Sequence, residues 1–179
     1  MIGWFGSLRC ERSLEILCRV AKVAGPHLKI LAAGTQKFPP GIFERATAGL
    51  ANLSYLGPFD ARNDVAALYA QAHFSYAAHY EPEEKAKWAL PVRILEGGAY
   101  GRPSLTRADA DMGRYVRAHD IGWALDDLEK DLPALLESLT AAEYERVAQN
   151  VARQRSLFIG ERDLAAALAA VRRASGHRP

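Results

Sequence analysis

The sequence predicts a doubly wound α/β domain, a parallel six-stranded sheet with helices on both faces. Three observations point to it. Short apolar runs alternate with amphipathic stripes in units of roughly 20 to 30 residues, the spacing of strand–helix repeats. The early strand candidates close on glycine, at Gly6, Gly34 and Gly57. The intervening segments are long enough for right-handed crossovers, which put helices on both sides of a sheet. No internal repeat or low-complexity segment competes with this reading.

Taken in order, Ile2–Gly6 is the first strand candidate, and Met1 runs directly into it, as expected of a chain cut at a domain boundary. Leu14, Leu17, Cys18 and Ala21 fall at helical spacing, with Ser13 as the expected N-cap and Gly25-Pro26 as the stop. Leu28–Ala33 is a second strand. A loop through Pro39-Pro40-Gly41 follows, then a short helix over Phe43–Leu50. Leu53–Leu56 is the third strand, closed by Gly57-Pro58. Asp60 or Asn63 is expected to cap a helix containing Val65, Leu68 and Tyr69. His73–Ala78 is the fourth strand and Tyr80–Ala89 a charged loop. A helix opening at Pro91 follows, since proline suits a first turn. Pro103–Thr106 is the fifth strand, Ala110–Ala118 a helix and Ile121–Leu125 the sixth strand. Three helices then cover Leu128–Leu139, Ala141–Arg155 and Arg162–Arg173, before a frayed tail.

The chain of 179 residues is long enough to bury a substantial core, and 49% hydrophobic with 25% charged residues is ordinary for a globular protein. A net charge of +2 gives no nucleic-acid footprint, so no nucleic-acid partner is expected. Cys10 and Cys18 have neither disulfide nor metal spacing and fit a reducing compartment. No apolar run approaches the about 20 residues of a membrane span, and the N-terminus lacks a signal peptide's features, so a cytoplasmic location is expected.

In a doubly wound sheet, ligands bind outside the carboxyl ends of the strands. That edge holds Gly6-Ser7-Leu8-Arg9-Cys10-Glu11-Arg12: small residues, two arginines, then a helix N-terminus. Free N–H groups, the helix dipole and arginine forks all favour an anion, although solvated arginines are the plainer alternative. The loop is neither Gly-x-Gly-x-x-Gly nor a P-loop. The same edge receives the helix from Pro91, whose Glu96 stands before Gly97 and Gly98. Glycine inside a helix costs about 1 kcal/mol relative to alanine. It is accepted where something approaches the backbone, either a ligand or the sheet. A carboxylate there suits a diol such as a ribose, against the alternative of an exposed helical glutamate.

Together these segments resemble the C-terminal, donor-binding domain of group 1 retaining glycosyltransferases of the GT-B fold. Pro91, Arg93, Glu96, Gly101 and Pro103 match the family's Pro-x-Lys-x-x-Glu-x-x-x-x-Gly-x-Pro segment, with arginine for lysine. Leu56-Gly57-Pro58-Phe59, Asp64, Leu68-Tyr69 and Ala72 resemble its third strand and following helix. The resemblance runs from about Ile2 to Leu139. It implies a Rossmann-like domain over residues 1–155, a C-terminal helix and tail over 156–179, and an acceptor-binding N-terminal domain outside this chain. It implies a nucleoside-diphosphate sugar, UDP- or GDP-linked, as donor substrate, with no cofactor and no metal. Glu96 would take the ribose hydroxyls, while Arg12 and Arg9 would hold the diphosphate and stabilise charge growing on the leaving group. Gly6, Ser7 and Arg93 would belong to the same site. Gly57 and Phe59 would border the base, and Gly97 and Gly98 would let the helix approach the nucleotide.

The sequence departs from the family at one point. Many members carry an acid eight residues before the glutamate, and here Trp88 stands there, with Glu81, Glu83 and Glu84 out of register. A non-catalytic nucleotide- or protein-binding module is therefore the alternative. Asp109-Ala110-Asp111 has the form of an Asp-x-Asp metal motif but precedes a helix, where capping is the plainer role. His79 ends the fourth strand on the ligand side, within reach of a sugar. Arginines from Arg153 onward give the last helices a basic side that admits peripheral membrane contact, with solvation as the plainer role.

Overall fold

The computed structural model describes residues 1–80, 82 and 87–159. In chain order it contains β1 (Ile2–Phe5), α1 (Glu11–Ala24), β2 (Ile30–Ala33), α2 (Ile42–Thr47), β3 (Leu53–Tyr55), α3 (Val65–Gln71) and β4 (Phe74–Tyr76). These are followed by α4 (Val92–Ala99), β5 (Ser104–Arg107), α5 (Asp111–His119), β6 (Gly122–Leu125), α6 (Leu128–Ser138) and α7 (Ala141–Arg153). The strands form one sheet in the order β3-β2-β1-β4-β5-β6, and every neighbouring pair is parallel. The expected helix over Arg162–Arg173 lies outside the described residues, as does most of the acidic run at Glu81–Glu84.

The strands are continuous apolar runs because both faces of a parallel sheet are covered; all four residues of β1 are buried. Ile2, Trp4, Phe74, Tyr76 and Leu105 face one layer, where they meet Leu14 and Leu17 of α1 and Leu128 and Leu132 of α6. Phe5 and Ala33 face the other layer, against Val65, Leu68 and Tyr69 of α3. Further along that layer Ala77 packs with Ile94 of α4, Met112 and Val116 of α5, and Val147 and Val151 of α7.

The winding runs outward from β1 to β3, then returns to β4 on the other side of β1 and runs outward to β6. The reversal lies between β1 and β4, the place where such sheets open a crevice. Pairing reflects it. β1 and β2 stay in register over four residues, from Ile2↔Ile30 to Phe5↔Ala33. β1 and β4 pair only at Ile2↔Phe74 and Gly3↔Ser75. The two strands part toward their carboxyl ends, so β4 is shorter than the apolar run His73–Ala78.

Two expected caps are placed differently. Ser13 does not cap α1. It is fully buried, and the cap is Cys10, whose Sγ accepts from the Ser13 amide at 3.4 Å. Neither Asp60 nor Asn63 caps α3, whose capping position is Asp64. The Asp60 carboxylate instead closes its own turn, accepting from the Arg62 and Asn63 amides at 2.6 and 3.2 Å.

Candidate functional site

The ligand edge begins with three neighbouring strands that end on left-handed glycines: Gly6 at φ +106°, Gly34 at φ +129° and Gly57 at φ +85°. Glycine adopts this backbone without a Cβ penalty. Gly34 donates its N–H to the Gly57 carbonyl at 2.8 Å. A Cβ on Gly34 would lie 1.8 Å from the Gly6 carbonyl oxygen, so this rim is backbone packed on backbone.

Three side chains then stitch the β1–α1 loop to the segments across the crevice. Arg93, in the first turn of α4, donates from Nε to the Phe5 carbonyl at 2.5 Å and from Nη2 to the Ser7 carbonyl at 2.6 Å. This is a forked hold that a lysine could not reproduce. The Arg93 match thus serves as a clamp on the end of β1, and burial draws its guanidinium pKa below the ordinary value. Cys10 Sγ accepts from the Tyr80 amide at 3.3 Å. The Ser13 hydroxyl donates to the Ala78 carbonyl at 3.1 Å. The sequence carries no pattern that separates these tethers from ordinary packing residues.

The two arginines of the loop divide. Arg9 is exposed at the crevice, while Arg12 faces α6, its guanidinium shared between Glu129 at 3.0 Å and Glu15 at 3.3 Å. In this arrangement Arg12 is a partner of α6 and Arg9 is the loop's outward cation. A third arginine, missed in the sequence, arrives from the end of β5. Arg107 is buried, lies over the Tyr80 ring with its Cζ 4.5 Å from the centroid, and holds Asp109 through two contacts of 2.5 Å. That pairing, more than any metal or capping role, accounts for Asp109, whose carboxyl is held below the usual range by Arg107. The α5 cap is Ala110, without a side-chain bond, and Asp111 pairs with Arg114. Among the described residues no cluster of three or more metal-type ligands is present.

His79 lies between these groups. Burial lowers its pKa, and Arg93, Arg9 and Arg107 lower it further. Its Nδ1 and the Ser7 hydroxyl are buried without hydrogen-bond partners among the described residues. Buried polar atoms are normally paired, so both call for an explanation, as do Trp4 Nε1, Arg102 Nε and the Tyr76 and Thr106 hydroxyls, which are unpaired in the same way.

Glu96 sits one turn after Arg93 on α4. Its Oε2 accepts from the Tyr69 hydroxyl at a long 3.5 Å. Burial raises the carboxyl pKa, opposed by that hydrogen bond and by Arg93. Glu96 lines a cavity of about 410 Å³ with Val65 at the head of α3, Val92 and Leu95 of α4, Tyr100 just after it, Arg155 and Phe158. Phe59 is partly buried against the neighbouring α3 cluster, and Gly57 is engaged by Gly34. The two helical glycines have internal reasons. A Cβ on Gly97 would lie 2.5 Å from Ser75 Cβ, and one on Gly98 would lie 2.5 Å from the Phe158 ring. The close approach is to sheet and C-terminal turn, the second of the two readings the sequence allowed. A larger hollow of about 490 Å³ lies at the opposite edge, beside Lys22, Lys29 and Asn52. Its Asn52 amide is already bonded to the Ala21 and Gly25 carbonyls.

Trp88, at the position where a second acid was expected, is 64% exposed. Among the described residues no helix is long and apolar enough to cross a membrane.

The sheet order, the parallel winding and the crevice between β1 and β4 define a Rossmann-like α/β fold, the fold of one half-domain of GT-B proteins. Solved structures share it. HepE from Anabaena, in complex with UDP, matches with a TM-score of 0.64 at 14% identity, over 93% of this chain and 48% of that one. AviGT4, a glycosyltransferase involved in avilamycin A biosynthesis, matches with a TM-score of 0.57 at 18% identity, over 86% of this chain and 45% of that one. In sequence, the chain is 27% identical over 155 residues to the succinoglycan biosynthesis protein ExoL of Rhizobium meliloti (strain 1021), covering 85% of this chain and 38% of ExoL. No protein-family model matches the chain. It therefore spans less than half the length of the proteins named here.

Proposed function

We propose that this chain is the donor-binding half of a glycosyltransferase that takes a sugar from a nucleoside diphosphate, with Glu96 as the ribose contact. The observation that carries the reading is the Glu96 carboxylate. It is half-buried, with burial opposing its charge, its bond to Tyr69 is long, and Glu96 lines the cavity, together with Arg155. A fold alone does not determine chemistry, so the site carries the argument. The α4 helix joins the two ends of the ligand: Glu96 at the cavity, and Arg93 one turn earlier at the β1 end beside Arg9 and His79. A ribose at Glu96 thus places the phosphates over the Ser7–Arg9 loop and the N-terminus of α1.

Cleavage of the anomeric bond leaves negative charge on the β-phosphate. Arg9, the first-turn N–H groups of α1 and the field of half-buried Arg93 oppose that charge, so stabilisation of the leaving group needs no metal in this scheme. Retention of configuration, the UDP- or GDP-linked donor, the acceptor-binding domain and any peripheral membrane contact of the whole protein belong to this proposal through the GT-B resemblance. Exposed Trp88 favours the second reading, a nucleotide- or protein-binding module without transfer activity.

Calorimetric titration with UDP, GDP and ADP tests the reading. Saturable binding of at least one diphosphate is expected. Binding of none of the three removes the donor-site assignment.

A further inference from the structure

We propose that His79 is a contact for the anionic part of the ligand, facing Ser7 across the crevice where β1 and β4 part, and that binding of the anion is linked to uptake of a proton by the ring. This rests on the reading of the crevice as a diphosphate site. Its geometric basis is independent of Glu96. His79 ends the β4 side of the gap where β1 and β4 part, and its Nδ1 is buried without a hydrogen-bond partner among the described residues. Ser7 Oγ, on the β1 side, is orphaned in the same way. Two orphaned polar atoms on opposite lips of a switch-point crevice describe a site for one guest that bonds both.

Charge sets the direction. The groups acting on His79 are Arg93 from α4, Arg9 from the β1–α1 loop and Arg107 from the end of β5, the last already neutralised in part by Asp109. Cys10 and Tyr80 lie alongside, tied to each other through Sγ and the amide. With the crevice empty, burial and three cations disfavour the charged imidazole. A diphosphate cancels part of that positive field and offers oxygens to an N–H at Nδ1, so the charged imidazole becomes the favoured form. One proton passes from water or buffer to the ring, and no other bond is made or broken.

Proton uptake on binding is measured by calorimetry in buffers of different ionisation heat, for the wild type and for His79→Gln and His79→Asn. The probes are UDP, GDP, ADP and inorganic pyrophosphate. Each probe's own protonation cancels in the comparison between proteins. The wild type is expected to take up more protons per bound anion than either variant, by up to one. Its affinity should gain up to about tenfold more per pH unit on lowering the pH from 8 to 6, the limit for one linked proton. Equal uptake in wild type and variants overturns the assignment while leaving nucleotide binding intact. Uptake with pyrophosphate but no binding of nucleotides keeps His79 and removes the nucleotide reading; no binding of any probe overturns both. Should neither variant fold, imidazole resonances of the wild type carry the test. One of the five histidines must titrate at higher pH once pyrophosphate is bound, and none doing so overturns the proposal.

Discussion

Glu96, the proposed ribose contact, is distinguished from a stabilising residue by its charge. Burial raises its carboxyl pKa, so the folded protein binds that proton more tightly than the unfolded chain does. The consequence for pH has a definite sign. Stability falls as pH rises from the ordinary carboxylate value through the raised folded value, and at neutral pH the ionised group is a net cost. Glu96→Gln keeps an acceptor for Tyr69 and removes the charge. The variant is expected to melt at or above the wild-type temperature at pH 7, with the difference vanishing in acid, while nucleotide affinity drops about tenfold or more for the lost charged hydrogen bond. A variant that is clearly less stable at pH 7 would mean that the carboxylate serves the fold. The residue itself was legible, because a carboxylate beside helical glycines is an anomaly on one line of sequence. His79 was visible only as a histidine at a strand's end. Arg107 was not visible at all, since its partners Tyr80 and Asp109 come together only through the pairing of β4 with β5.

At the level of elements, helix α4 shows a conflict between propensity and packing. Alanine at Gly97 would recover about 1 kcal/mol of helix propensity. Its Cβ would collide with Ser75 Cβ on β4, and Ser75 also donates to the Arg93 carbonyl at 2.9 Å. Overpacking costs about 1–3 kcal/mol, and disturbing that hydrogen bond about 1 kcal/mol more. Gly97→Ala is therefore expected to lose about 1–3 kcal/mol in urea unfolding. Gly98→Ala meets only the Phe158 ring, in the final described turn, and should lose less than Gly97→Ala. If both variants gain about 1 kcal/mol, the glycines are not packing positions. Elements were readable wherever apolar periodicity and glycine stops agreed: five of the six strands fall within their expected runs, and β5 extends one residue past its run, to Arg107. Caps were not. Cys10 displaced Ser13 because the Ser13 hydroxyl is used by the Ala78 carbonyl, a contact across 65 positions of sequence. Arg12 likewise pairs with Glu129 on α6, a partner that no local pattern announces.

For the whole molecule, the sheet order determines where the crevice lies, and the proposed site is set there. Outward winding from β1 and then from β4 leaves one seam between two C-terminal strand ends, and Arg93, Cys10 and Ser13 tether its loops to one another. The chain covers 38% of ExoL and under half of HepE and AviGT4, and on the proposed reading it is a donor half whose acceptor site belongs to another domain. The chain by itself is expected to bind the nucleotide without transferring sugar. Transfer measured with this chain alone would contradict the two-domain reading.

The central claim, that Glu96 holds a ribose, is tested most directly by a double-mutant cycle across protein and ligand. The diphosphate that binds best and its 2′-deoxy form are titrated against the wild type and Glu96→Ala by calorimetry. The account predicts that loss of either the hydroxyl or the carboxylate costs roughly 1–3 kcal/mol, and that the deoxy form loses little further affinity against the variant. Equal losses from the 2′-hydroxyl with and without the Glu96 carboxylate would contradict it.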